Sequence, residues 1–76
     1  MDIIEKINEI SNQNGWFGRH EDFVDACNEE GLEVAEINGE YAIVTEEDDD
    51  GCASECVVYF GGTERTIIIE RVREAW

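Results

Sequence analysis

The chain has 76 residues, of which 42% are hydrophobic, and its 20 acidic and 5 basic side chains give a net charge of −15. We expect one small domain, residues 1–76, without room for a separate cofactor-binding layer. The apolar fraction is high enough for a core and argues against disorder. The negative charge argues against direct binding to nucleic acid or to anionic membranes, because both require an excess of Lys and Arg.

Residues 2–13 are predicted to form a helix. Hydrophobic residues recur there at helical spacing: Ile3, Ile4, Ile7 and Ile10. Asp2, with a Glu three residues later, has the pattern of an N-terminal capping box. Gly15 is expected to lie just beyond the end of the helix, and Trp16 and Phe17 to fold back as apolar cover of the core.

A second helix is predicted over about residues 19–30. Its apolar side chains share one face: Phe23, Ala26 and Cys27. Gly31 follows at the position that a C-terminal cap occupies, so the helix should end there.

After Gly31 the hydrophobic period changes to two, which predicts strands. Segments 32–37 and 40–45 flank Asn38 and Gly39, a pair typical of a two-residue type I′ hairpin. That register assigns four residues to the core side: Leu32, Val34, Tyr41 and Ile43.

Two further β-rich segments, 55–60 and 65–72, are predicted to pair around a loop at 61–64. Such a loop would pair core-side residues as follows: Val58 with Ile67, and Cys56 with Ile69. Tyr59 is expected to cover the core. The element order ααββββ predicts an α+β fold, with two N-terminal helices packed on a four-stranded antiparallel sheet.

The acidic residues are concentrated in the middle of the chain. No Lys or Arg occurs between Arg19 and Arg65, whereas that stretch holds fifteen acids. Glu21, Asp25 and Glu29 recur every four residues, so their repulsion should cost about 0.2–0.5 kcal/mol per neighbouring pair. An unfavourable local arrangement of this kind often marks function, although a solvated helix face with no partner is the alternative.

The segment 46–50 places five acids in a row in a predicted loop. In an extended chain every second side chain is about 6.6–6.8 Å apart, similar to phosphates along a nucleic-acid strand. On the first hairpin, Glu33 is expected on the outer face, Glu36 at the rim of the core, and Glu40 as a further extension of the charge. The candidate partner-binding residues are Glu21, Asp25, Glu29, Glu30, Glu33, Glu46, Glu47, Asp48, Asp49 and Asp50.

We expect no metal, no cofactor and no catalysis. A calcium loop that starts at Glu46 lacks its final bidentate Glu, because Val57 stands there. The possible zinc ligands have a weak spacing: His20, Cys27, Cys52 and Cys56. Cys27 and Cys56 are instead predicted to be small hydrophobic core residues. One His and no nucleophile or phosphate-binding motif predict a protein that is not an enzyme.

The opening residues have neither a basic nor a continuous apolar segment, so we expect no signal peptide and no membrane span. Three cysteines are too few for a disulfide scaffold. These features predict a cytoplasmic protein, and we expect a monomer.

The small size, the base-free stretch from His20 to Glu64 and the acidic runs at 28–30 and 46–50 resemble the small acidic anti-CRISPR proteins of phages and mobile elements, some of which mimic DNA. This resemblance implies a non-enzymatic inhibitor that occupies the basic DNA-binding site of a CRISPR effector, with a type I effector favoured, in the cytoplasm of a bacterial host. The partner would then be a basic nucleic-acid-binding protein. The alternatives are an acidic antidote or chaperone for a basic toxin or nuclease, and a halophile-adapted domain whose charge has no partner.

Overall fold

Two helices cover one face of an antiparallel sheet in the computed structural model, which describes residues 2–47, 53–63 and 65–75. The elements, in chain order, are α1 (Ile3–Asn14), α2 (His20–Glu29), β1 (Glu33–Ile37), β2 (Tyr41–Glu47), β3 (Ala53–Gly62) and β4 (Ile67–Glu74). The strands lie in the order β1-β2-β3-β4, with α1 against β3 and β4 and α2 against β1. The predicted α+β fold with the order ααββββ is confirmed.

α1 begins, and both helices end, where the local sequence places caps. The Asp2 carboxylate accepts a hydrogen bond from the Glu5 N–H at 2.9 Å and caps α1. Gly15 and Gly31 follow the two helices with φ of 73° and 77°, a backbone conformation that favours glycine. Neither described helix is long and apolar enough to cross a membrane.

The core lies between the helices and the sheet, and Phe23 is at its centre. Phe23 is fully buried, and its ring meets those of Phe17 and Phe60 edge-to-face with centroids 5.6 and 5.1 Å away. The buried hydrophobic residues are Ile3, Ile7, Ile10, Phe17, Phe23, Cys27, Leu32, Ala42, Val44, Cys56, Val58 and Ile67. The helix stripes predicted from the sequence therefore form the core, and the predicted burial of Cys27 and Cys56 is confirmed.

The prediction that Trp16 covers the core is wrong, because Trp16 is 58% exposed. Its neighbour Phe17 is buried and forms two backbone hydrogen bonds of 2.8 Å with Ile67. Successive side chains of an extended segment point in opposite directions, so the bridge that directs Phe17 inward directs Trp16 outward.

The first hairpin has a different turn and register from those predicted. The Asn38 side-chain oxygen accepts hydrogen bonds from the N–H groups of Glu40 and Tyr41 at 2.8 and 3.0 Å, which closes a longer, Asx-type turn. Gly39 does not have the positive φ that a type I′ turn requires. The turn pairs Ile37 with Ala42.

This register reverses the two faces of β2. Ala42 and Val44 are fully buried, whereas Tyr41 and Ile43, the residues predicted to face the core, lie on the sheet face away from the helices. A shift of one residue moves every side chain of a strand to the opposite face. An irregularity around Ala35 of β1 accompanies the shift.

The second hairpin keeps the predicted core side but not the predicted partners. Val58 pairs with Val72 and not with Ile67, and Cys56 pairs with Glu74 and not with Ile69. The predicted loop is displaced because β3 continues through Gly62, and the turn begins only at the next residue. A register shift between residues 59 and 60 then restores the apolar side chains of both strands to the core.

The sheet face away from the helices is called the open face below. It carries side chains from all four strands: Glu33, Glu36, Tyr41, Ile43, Thr45, Glu55, Val57, Tyr59, Arg71 and Arg73. The prediction that Tyr59 covers the core is therefore wrong. Tyr59 is half-buried among the arginines of β4 and not beneath the helices.

A matched pair of substitutions tests the register of β2. Val44→Thr should lower the free energy of unfolding by roughly 1–3 kcal/mol, because it buries a hydroxyl group in an apolar site. Ile43→Thr should have a smaller effect, because residue 43 is on the open face. Thermal unfolding at low protein concentration measures the stability of both variants. A larger loss of stability for Ile43→Thr than for Val44→Thr would support the register predicted from the sequence.

Candidate acidic interface

The outer face of α2 presents a line of carboxylates to solvent. Glu21, Asp25 and Glu29 are all exposed, and Phe23 and Cys27 anchor the opposite side of the helix in the core. Residues four apart rise by about 6 Å along a helix axis, so the line extends over about 12 Å. One DNA strand has a phosphate about every 3.4 Å of axis, or three to four over the same length. Three carboxylates on α2 therefore approach the charge density of a single strand.

Further exposed acids follow α2 in the chain, at its C-terminal cap and on the edge strand. Glu30 is the exposed cap residue, and Glu33 and Glu36 are exposed on β1, against which α2 packs. Glu40 follows, exposed, in the first hairpin. We call these seven residues the acidic edge: Glu21, Asp25, Glu29, Glu30, Glu33, Glu36 and Glu40.

Glu36 differs from its expected position at the rim of the core. It is exposed and pairs with Ile43, so it belongs to the open face. The irregularity at Ala35 produces this placement, since strict alternation from Val34 would direct residue 36 towards the core. Glu36 and Glu40 were not among the candidate partner-binding residues chosen from the sequence. Both lie in the stretch without Lys or Arg, which is the sequence feature that could have identified them.

The basic side chains do little to neutralise the acidic edge. Arg19 lies 3.4 Å from the Asp22 carboxylate and 3.8 Å from that of Glu21, at the start of α2. The last turn of α2 contains no base. Within residues 2–47, 53–63 and 65–75, no salt bridge reaches the other six acids of the edge. Repulsion along the edge therefore has little local compensation.

The acidic segment 46–50, which begins at the end of β2, divides into two parts. Glu46 is half-buried on the helix-covered side, its side chain is 16% exposed, and it forms an ion pair with Lys6 of α1. Glu46 is thus already engaged within the fold. Glu47 is exposed at the end of β2, and the candidates Asp48, Asp49 and Asp50 lie outside the described residues.

The opposite side of the molecule has a mixed charge. On β4, Arg71 and Arg73 alternate with exposed acids, and α1 carries Lys6 beside its own glutamates. Arg71 and Arg73 lie over the Tyr59 ring at 4.5 and 5.7 Å from its centroid. Because β1 and β4 are opposite edges of one sheet, the fold separates the acidic edge from these bases.

Cys27 and Cys56 are core residues, and Cys52 lies outside the described residues. Burial, together with the neighbouring Cys56, raises the pKa of the Cys27 thiol to about 12. Burial, together with the Glu55 charge, raises the pKa of the Cys56 thiol to about 11. Both thiols are therefore protonated at neutral pH, as expected of buried cysteines that pack as small hydrophobic residues. In the described part of the chain, no three His, Cys, Asp or Glu side chains are grouped as metal ligands.

Reversing one charge in the middle of α2 should stabilise the fold. Asp25→Lys converts the two repulsive pairs with Glu21 and Glu29 into attractive ones, which should raise the free energy of unfolding by about 1 kcal/mol. Asp25→Asn, which only removes the repulsion, should give about half of that gain. Thermal or urea unfolding measures the difference, and a destabilised Asp25→Lys variant would show that the carboxylates of α2 do not strain the helix.

Comparison with known proteins yields no relative of this chain: no family model, no curated protein and no solved structure matches it. Its function is therefore inferred from its own residues and their arrangement.

Proposed function

We propose that this chain is a non-enzymatic inhibitor whose acidic edge mimics DNA and occupies the positively charged DNA-binding site of a CRISPR effector. A type I effector is the favoured partner, and the protein acts without a cofactor in the cytoplasm of a bacterial host. The observation that carries this proposal is the separation of charge: six of the seven carboxylates of the edge have no described ion pair, while four of the five bases lie on other parts of the fold.

Binding proceeds in two electrostatic stages. At long range, the field of the acidic edge steers the protein towards a basic groove and raises the association rate by about 10- to 1,000-fold at low salt. At contact, carboxylates pair with Arg and Lys side chains that otherwise hold phosphate oxygens. DNA is then excluded both sterically and by repulsion.

The rigidity of α2 favours this mechanism. Phe23 and Cys27 are fully buried and fix the helix on the sheet, so the backbone positions of Glu21, Asp25 and Glu29 are set before a partner arrives. Preorganised charges lose little conformational entropy on binding. A flexible acidic chain of the same composition would lose more.

The separation of charge also bears on the two alternative functions. Adaptation to high salt uses a high net charge and gives no reason to concentrate it, whereas here α1 and β4 carry Lys6, Arg71 and Arg73 among their acids. An antidote to a basic toxin or nuclease would use the same acidic edge as a DNA mimic. The two differ in their target, so the choice between them depends on which purified basic protein is bound.

Two variants with the same net charge test the proposal. The edge variant carries Glu21→Gln, Asp25→Asn, Glu29→Gln and Glu30→Gln. The control variant neutralises four exposed acids of α1 and β4: Glu5→Gln, Glu9→Gln, Glu70→Gln and Glu74→Gln. Inhibition of target-DNA binding by a purified type I CRISPR effector is measured for each as a function of salt.

The edge variant should inhibit at least about tenfold less well than the wild type, since several charge-assisted contacts are lost. The control variant should remain close to the wild type, and wild-type inhibition should weaken steeply with added salt. A third variant, with Glu47, Asp48, Asp49 and Asp50 changed to Gln or Asn, measures the contribution of the acidic segment after β2. Equal losses in the edge and control variants would mean that net charge matters and the edge does not.

A further inference from the structure

The open face has an apolar centre that the helices do not cover. Tyr41 and Ile43 of β2 pair with Tyr59 and Val57 of β3, and all four side chains are half-buried. They form two adjacent rows across the middle of the sheet. Half-buried aromatic and branched side chains in this arrangement are typical of a surface that packs against another sheet.

Opposite charges flank this apolar centre. Along one row the register runs from Glu36 on β1, through Ile43 and Val57, to Arg73 on β4. Along the next row it runs from Tyr41 through Tyr59 to Arg71. Along these two rows the acid lies on β1 and the arginines lie on β4, while Glu55 of β3 is a further acid in the row beyond Val57.

The arginines are held in place on this face. The Arg73 Nε donates a hydrogen bond of 2.7 Å to the Tyr59 hydroxyl, and the Arg71 guanidinium lies over the Tyr59 ring. Arg73 Nη1 also donates a hydrogen bond of 3.1 Å to the Glu74 carbonyl oxygen. A guanidinium has five N–H groups, so Arg73 retains donors for a further acceptor. In the described residues, no carboxylate forms a salt bridge with either arginine.

We propose that the open face binds the open face of a second copy of this chain, around a two-fold axis parallel to the strands. That axis places β1 of one copy over β4 of the other, so Glu36 meets Arg73 of the second copy and Arg73 meets its Glu36. Ile43 meets Val57 and Tyr41 meets Tyr59 in the same way. The face is thus self-complementary, as a two-fold interface requires, and the ordinary twist of about 30° between packed sheets fits this alignment.

The dimer is weak, and salt strengthens it. Four strands spaced about 4.8 Å apart and about seven residues long present a face of roughly 19 by 23 Å, which is at the small end of specific interfaces. Each copy also has a net charge of −15, so long-range repulsion opposes association until salt screens it. This salt dependence is opposite in sign to that of the proposed inhibition.

The proposed dimer does not depend on the proposed function. The dimer covers Glu33 and Glu36, the two acids of the edge that lie on the open face. The acids of α2 lie on the helix-covered side and remain accessible when two open faces meet. Inhibition can therefore fail while the dimer forms, or the reverse.

Charge exchange at one contact tests the dimer. Sedimentation equilibrium at sub-millimolar protein should detect wild-type dimers, with a dissociation constant that falls as NaCl is raised. Glu36→Arg and Arg73→Glu should each raise that constant by at least about tenfold, because each places like charges opposite one another. Glu29→Arg and Arg65→Glu make the same changes in charge at exposed positions away from the open face and should not weaken the dimer.

Mixing the two single variants is the decisive measurement. A chain with Glu at both 36 and 73 matches a chain with Arg at both positions, so the mixture should form heterodimers although each variant alone does not. Two results would overturn the proposal: a wild-type chain that stays monomeric at all salt concentrations, as the sequence led us to expect, or a dimer that neither exchange affects. Normal unfolding of each variant by circular dichroism verifies that the fold is retained.

Discussion

Burial of apolar side chains behind α2 and β1, against the repulsion of the carboxylates on their outer sides, is the constraint on which the rest of this structure depends. Along α2 and β1, like charges are placed at spacings where local energetics disfavour them, and the bases that could relieve them lie elsewhere. They are held there by burial of apolar residues on the opposite side of the same elements. Phe23, packed against Phe17 and Phe60, is the centre of that burial. The free energy of the core thus offsets the cost of a concentrated surface charge.

The sheet gives the molecule two surfaces with different chemistry. One edge and its helix form the charged surface on which the proposed function rests. The open face combines an apolar centre with opposite charges at its two sides, which suits a partner of matching shape. Both surfaces depend on the position of β1, since Glu33 and Glu36 belong to the acidic edge and the open face alike.

Local sequence signals predicted the helices and their caps, but not the strand registers. The caps depend only on neighbouring residues, so Asp2, Gly15 and Gly31 could be identified from the sequence. The strand pairings are shifted by the Asx turn at Asn38 and by the irregularities near residues 35 and 59–60. The residue pattern did not predict these features. The ion pair between Lys6 and Glu46 joins residues far apart in sequence, so it depends on the register of β2. The concentration of acids was visible at once, whereas their arrangement along one edge required the fold.

Thermal unfolding at increasing NaCl tests the central claim most directly, when the edge and control variants are compared with the wild type at equal protein concentration. Both variants differ from the wild type by the same four charges, so any difference between them reports the arrangement of charge. Screening over the first few hundred millimolar salt should raise the Tm of the wild type and of the control variant, and it should raise the Tm of the edge variant much less. Identical salt responses of the two variants would contradict a concentrated acidic edge.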